Sequence, residues 1–181
     1  MPLNDHKDKQ TATQSLCLNC GFCCNGSLHN WTNLRSIEVE IVQEAGITVI
    51  TLPEGSPAFL QPCAAFTEPI CRIYSNRPGA CRSFECKLYK SLQSETITFE
   101  TALVYIQKAK ELIAELQAQM EEPDKSLSLE RQVRYQWLNL GPPPQAEAIL
   151  AELTCLLEDQ WGAKWSLQEQ EKNQRARRRK V

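Results

Sequence analysis

The chain has 181 residues, 42% hydrophobic and 23% charged, with 20 Lys and Arg against 22 Asp and Glu for a formal charge of −2. This composition excludes a wholly disordered chain and a broadly basic nucleic-acid-binding surface, and the length suits one domain or one domain with a small appendage. Apolar runs are only a few residues long, so no transmembrane segment is expected, and MPLNDHKDKQTATQ at the start lacks both the basic opening and the apolar stretch of a signal peptide.

Residues 1–14 read as a disordered polar extension with His6 in solvent, and the protein as cytoplasmic. The stretch CLNCGFCC at 17–24 opens a cysteine-rich domain expected over 15–92. In a reducing compartment, clustered thiols point to metal ligands or redox groups rather than to disulfides. Cys17, Cys20 and Cys23 form C-x2-C-x2-C, a spacing at which a tight turn brings sulfurs onto one centre while backbone amides face them. Gly21 and Gly26 favour such turns. Side chains of adjacent residues diverge, so Cys24 hints at a second site.

Downstream, residues 36–45 predict a short helix stopped by Gly46, ITVITL at 47–52 predicts a strand, and PEGSP then breaks the chain. Cys63, Cys71, Cys81 and Cys86 follow at spacings that suit a knot of loops. Together the eight thiols make two sets of four, the complement of a closed zinc site or of a cubane iron–sulfur cluster. Alternatively, one centre takes four and the rest hold a zinc or stay free; spacing does not assign the sets. Soft thiolates select zinc, copper(I) or iron–sulfur clusters over magnesium and calcium.

Pro78 fixes its own backbone and biases Arg77 toward extended geometry, so R-P-G-A reads as a turn returning Cys81 toward Cys71. Arg72, Arg77 and Arg82 flank these cysteines and are placed to offset thiolate charge. Tyr74 and Phe84 are expected to cap the metal against water. His29 is not expected among the ligands, given eight available thiols.

The opening C-x2-C-x2-C-C, the Pro62–Cys63 pair and CRIYSNRPGACRSFEC from Cys71 to Cys86 closely resemble the cysteine-cluster family described as a zinc- or iron-chelating domain, also called YkgJ-like. The resemblance covers about residues 15–90. It implies a metal-chelating module with Cys17, Cys20, Cys23, Cys24, Cys63, Cys71, Cys81 and Cys86 as ligands. Related clusters occur in bacterial lysine N-methylases acting on flagellin, where an iron–sulfur centre is implied. Against an enzyme of that kind, no two of the seven glycines are separated by a single residue, so the common Rossmann-type turn is missing. Ser27 stands where a P-loop would need lysine, and neither H-E-x-x-H nor C-x3-C-x2-C occurs.

A helical region is expected over 93–165. Phe99, Ala102, Ile106, Ala109, Ile113, Leu116 and Met120 recur at three- and four-residue steps between Thr98 and Met120, the seam of a packed helix. Pro123 and Asp124 end it. A second helix runs to Leu140 with Leu129, Val133, Trp137 and Leu140 on one face, capped by Gly141. GPPP at 141–144 is a rigid hinge, and 145–161 forms a third helix with Ile149, Leu153, Leu156 and Leu157 inward. The last two helices read as a hairpin, with Cys155 a buried apolar position rather than a ninth ligand. The 166–181 tail is polar to basic: KNQRARRRKV holds six of the 20 Lys and Arg, leaving 14 against 22 acidic residues, about −8, on the body. That tail reads as solvated, with at most a weak contact to nucleic-acid phosphates.

The expected fold is therefore mainly α with irregular cysteine-rich loops, a small metal-bound domain followed by a helical C-terminal region. The expected function is chelation of an iron–sulfur cluster of four irons, or of zinc, at one or two centres, in a redox or accessory role with an unidentified protein or redox partner. The compact C-x2-C-x2-C favours iron. A structural zinc adaptor is the alternative, a component of a lysine N-methylase-like system the second, and the cysteines alone assign no reaction.

Overall fold

The structure, a computed structural model, describes residues 15–138 and 141–165. The expected extension at 1–14 with His6, the tail at 166–181 and Leu140 lie outside the described residues. Helices account for about 52% of the described residues and sheet for a small part. None of these helices is long and apolar enough to cross a membrane.

The chain begins with helical residues 15–20, α1, followed by the cysteine loop. Strand β1, Trp31–Asn33, leads to a 3-10 turn at Ser36–Glu38 and helix α2, Val39–Glu44. Gly46, at φ +78°, lets the chain leave α2 in the left-handed region that a side chain would oppose. The β-branched run then forms β2, Val49–Thr51, and the PEGSP turn reverses the chain into β3, Pro57–Leu60. The antiparallel sheet has the order β1-β3-β2, with Phe59 opposite both Thr32 and Val49. Strands of three or four residues carry too little alternation to read from sequence, and for that reason β1 and β3 were not expected.

A second hairpin pairs β4, Phe66–Thr67, with β5, Ile70–Cys71. After a 3-10 turn at Tyr74–Asn76, Arg77 is extended at φ −61°, ψ 146°, as Pro78 requires. The residues expected as a simple turn instead start helix α3, Gly79–Ser83, which carries Cys81. Cys86 caps helix α4, Lys87–Gln93, its Sγ accepting the Tyr89 N–H at 3.4 Å.

The long helix α5, Phe99–Ala118, is started by Thr98, whose hydroxyl accepts the Thr101 N–H at 3.2 Å. Its buried stripe is Ala102, Ile106, Ala109, Leu112 and Leu116, with Met120 buried just beyond; Leu112 takes the deep position expected of Ile113, which is half-buried. Both residues fall on a 3.6-residue stripe, and the neighbouring elements decide between them. Helix α6 is Leu129–Trp137 and helix α7 is Pro144–Trp161. Proline suits the first turn of α7, where its missing N–H is no loss. Gly162, at φ +75°, ends that helix, with the Gly162 and Ala163 N–H groups closing onto Glu158 and Leu157.

The expected hairpin of the last two helices is not the main packing: α7 lies chiefly against α5 and α4. Ala102 and Ala109, both fully buried, give α5 a shallow face, and the side chains at a contact set how closely two helices approach. Cys155, expected to be buried, is exposed, with its Sγ 3.5 Å from Asp159 Oδ2. It follows Leu153 by two residues, about 200° around the helix and so on the opposite face.

One hydrophobic core gathers Leu16, Phe22 and Leu28 with Leu88, Leu112, Leu153, Leu157 and Trp161, so the first cysteine loop packs on the helical region. A second core holds Leu34, Val42, Ile47, Phe59, Cys63 and Ala65 beneath the sheet. Helix α6 locks onto the cysteine loop through a buried polar cluster. Gly26 O accepts the Leu129 N–H at 3.0 Å, Ser128 Oγ donates to Asn30 Oδ1, and Asn30 Nδ2 donates to Glu130 Oε2 at 2.7 Å.

Candidate metal centre

The first loop is wound by its own backbone. Gly21 closes α1 by donating to Cys17 O at 3.0 Å, and at φ +73° it turns the chain so that the Cys24 and Asn25 N–H groups both reach Gly21 O. This turn puts Phe22 into the core while Cys23 and Cys24 stay half-buried. The Cys63 N–H donates to Cys24 O at 2.8 Å, tying the Pro62–Cys63 segment directly to the doubled cysteine. From there the β4–β5 hairpin delivers Cys71, α3 presents Cys81, and the α4 cap presents Cys86. None of the nine cysteines is joined in a disulfide.

Seven of the eight clustered cysteines have raised thiol pKa values. Burial is the main cause raising the Cys17 thiol pKa, followed by Cys86. Burial pushes Cys20 up to about 12, with Cys86 and Cys17 adding to it. Cys23 is raised well above the usual value by burial, then by Cys20 and Cys86. A second group is separate: burial pushes Cys24 up to about 12, followed by Cys71, Cys63 and Cys81. Cys63 is raised by burial and by Cys71, and Cys81 is pushed up to about 11 by burial, then Cys63 and Cys71. The crossing influences are between the adjacent Cys23 and Cys24 and, as the weakest named, Cys17 on Cys24.

Mutual influence of this kind extends over several ångströms, whereas ligation requires sulfur at about 2.3 Å from zinc. Among the described residues, no three His, Cys, Asp or Glu side chains converge closely enough to hold an ion. The thiols are thus grouped without closing on a point. Buried neutral thiols have no attraction that would draw them together; an ion that displaces their protons supplies it.

The surroundings fit a thiolate centre. Backbone N–H groups of Phe22, of Ala65 and Phe66, and of Leu88 and Tyr89 act to lower Cys20, Cys63 and Cys86 respectively, the direction that favours a bound sulfur anion. Arg77 lowers both Cys17 and Cys81, one from each group; its guanidinium lies 3.9 Å over the Tyr74 ring and its buried Nε has no hydrogen-bond partner. Arg72 lowers Cys63 while donating to Ala64 O at 2.8 Å, and Arg82 is exposed at the end of α3. Phe84, expected as a buried cap, is 42% exposed and meets His29 edge-on at 4.7 Å. Both line a cavity of about 280 Å³ with Leu28, Lys87, Lys90 and Trp161. Burial alone lowers the His29 pKa, with no thiol among the causes.

Two contributors escaped sequence reasoning. Glu38 is buried, accepts from the Arg35 N–H and guanidinium at 2.9 and 2.7 Å, and reaches Gly79 N at 2.7 Å. Trp161 brings an indole from the far end of α7 to Cys20. Neither has a signal in the cysteine spacing.

Residues 16–112, more than half the chain, match the profile of the CxxCxxCC family, and the chain belongs to this family of proposed zinc- or iron-chelating domains. No curated protein and no solved structure matches the chain.

Proposed function

We propose that the protein chelates metal through two sets of four cysteines. Cys17, Cys20, Cys23 and Cys86 form one, and Cys24, Cys63, Cys71 and Cys81 the other. The metal is zinc or the iron of an iron–sulfur cluster, in a redox or accessory role. The reading is carried by the division of thiol influences: after burial, Cys17, Cys20 and Cys23 are raised mainly by one another and by Cys86, and Cys24, Cys63 and Cys81 mainly by one another and by Cys71. Family membership supports a zinc- or iron-binding module.

The first set takes three ligands from one seven-residue stretch, Cys17 and Cys20 on α1 and Cys23 in the loop after it, and its fourth from the cap of α4; the second gathers one ligand each from the loop, the Pro62 segment, the hairpin and α3. Bound iron–sulfur would supply an electron-transfer site and bound zinc a structural crosslink. The chain's own residues give up the thiol protons, present backbone N–H groups to the sulfurs, and place Arg77 and Arg72 against the accumulated negative charge.

The test is purification without oxygen, followed by assay of bound zinc, iron and acid-labile sulfide and by an absorption spectrum. Brown protein with iron and sulfide establishes the cluster, and colourless protein with stoichiometric zinc establishes closed structural sites. Protein with no metal that takes up neither on reconstitution overturns the reading.

A further inference from the structure

The family match ends within α5, yet the most distant contributor to the first cysteine set comes from the other end of the helical region. Trp161, the last residue of α7, is only 3% exposed, and its indole N–H has no hydrogen-bond partner. A buried donor left unpaired costs about 1–3 kcal/mol, so such groups are rare and point to an acceptor that completes them. The indole packs 5.2 Å from Phe22, between Cys20 and Cys23 in sequence, and shares a core cluster with the buried Cys20. It is also firmly held. Lys87 Nζ donates to Glu158 O at 2.9 Å, pinning the end of α7 to the residue after Cys86, and a side chain at Gly162 would press on the Lys87 stem at 3.3 Å.

The N–H meets no acceptor in hydrogen-bonding geometry, the neutral Cys20 thiol included, and a metal-bound thiolate is a far stronger acceptor than a thiol. We infer that Trp161 is a positioning residue for the first centre, its indole N–H donating to the Cys20 sulfur when metal is bound. The inference rests on the proposed chelating function and adds to it a ligand-tuning donor outside the matched family segment. Such outer donors orient the ligand, and their loss typically weakens metal binding 10–100-fold.

Two measurements on the full chain test it. Trp161→Phe keeps the ring against Phe22 and removes only the N–H; zinc held by the first set should then pass to a competing chelator about tenfold more readily, with the second set unchanged. In the unaltered protein loaded with cadmium-113, the Trp161 indole proton should move downfield on loading, resist exchange, and show scalar coupling to the metal through the N–H···S bond. Loaded protein in which the variant holds zinc within twofold of wild type and the indole proton shows neither shift nor coupling overturns the Trp161 assignment alone. Should the variant fail to fold, the cadmium spectrum of the unaltered chain decides by itself. Wild-type protein that takes up neither zinc nor cadmium and assembles no iron–sulfur cluster overturns the chelating function beneath it.

Discussion

Glu38 Oε1 accepts the Gly79 backbone N–H at 2.7 Å, joining the 3-10 turn before α2 to the first residue of the helix that carries Cys81. The same carboxylate takes the Arg35 guanidinium at 2.7 Å and the Arg35 N–H at 2.9 Å, so three donors converge on one buried acid, the farthest of them 41 residues along the chain from it. This clasp sets where α3 begins and hence where Cys81 lies.

Its pH dependence follows. The Arg35 side chain and the two N–H groups hold the Glu38 pKa down to about 2 from 4.5. A depressed carboxylate stabilises fully above the unfolded value near 4.5, and its contribution fades as pH falls through 2. Glu38→Gln should therefore cost about 2 kcal/mol at neutral pH, in the range of hydrogen bonds to charged groups. The gap from wild type should narrow below pH 4.5 and close near pH 2. Urea unfolding of both proteins at several pH values checks this; a constant gap would mean that the carboxylate charge contributes nothing.

Gly26 provides a steric test of how the cysteine loop meets α6. At φ +82°, an added Cβ would stand 2.9 Å from Ser128 Cα and 3.3 Å from Pro62 N, both backbone atoms that have no flexible end to yield. Gly26→Ala should cost about 3 kcal/mol, from left-handed strain and overpacking together. It should also weaken metal uptake, because the displaced loop carries Cys23 and Cys24. Gly55, at φ +89° with open space around it, supplies the contrast: Gly55→Ala should cost only the strain, about 1 kcal/mol, and leave metal content unchanged. Equal costs in denaturant unfolding would show that Ser128 does not press on Gly26.

The thiols give a dependence of opposite sign. Burial first, then neighbouring cysteines, pushes Cys24 up to about 12 and Cys81 up to about 11. Acids raised above their unfolded value near 9 leave the metal-free fold intact below pH 9 and destabilise it progressively as pH rises toward 11–12. Metal reverses the balance. Each ligating thiol must release its proton, so zinc affinity should climb steeply from pH 6 to 8, by up to tenfold per unit for each proton released. Chelator competition across that range measures the slope, and a flat profile would mean that the ligands are not these protonated thiols.

Sequence patterning conveyed the helices well because long amphipathic stripes repeat their signal: Phe99–Ala118 and Pro144–Trp161 lie within two residues of the expected bounds. It failed on packing partners. Nothing local distinguishes whether the Leu153–Leu157 stripe meets α6 or α5, since that choice depends on the three-dimensional approach of small residues such as Ala109. For Cys155, an apolar neighbourhood in sequence hid a helical face turned outward. The C-x2-C-x2-C-C spacing marked the cysteine cluster, but whether its members have Cys86 or Cys71 as a neighbour depends on where α4 and the β4–β5 hairpin arrive. Glu38 and Trp161 were invisible for a related reason: an isolated acid and an isolated aromatic acquire roles only through partners 41 and about 140 residues away.

The division into two sets is itself open to a direct count. Cys86 influences Cys17, Cys20 and Cys23, whereas Cys71 influences Cys24, Cys63 and Cys81. In zinc-loaded protein, Cys86→Ser should impair the first set and Cys71→Ser the second, each removing about one tightly held equivalent where four thiolates close one tetrahedral site. The double variant should then lose both, because the two losses fall on separate ions and add. Cys155→Ser, at an exposed position on α7, should lose none. Zinc per chain, measured after extensive dialysis against a mild chelator, distinguishes the arrangements. If the double variant retains as much zinc as either single one, Cys86 and Cys71 serve the same ion, and the assignment of cysteines to sets must be redrawn.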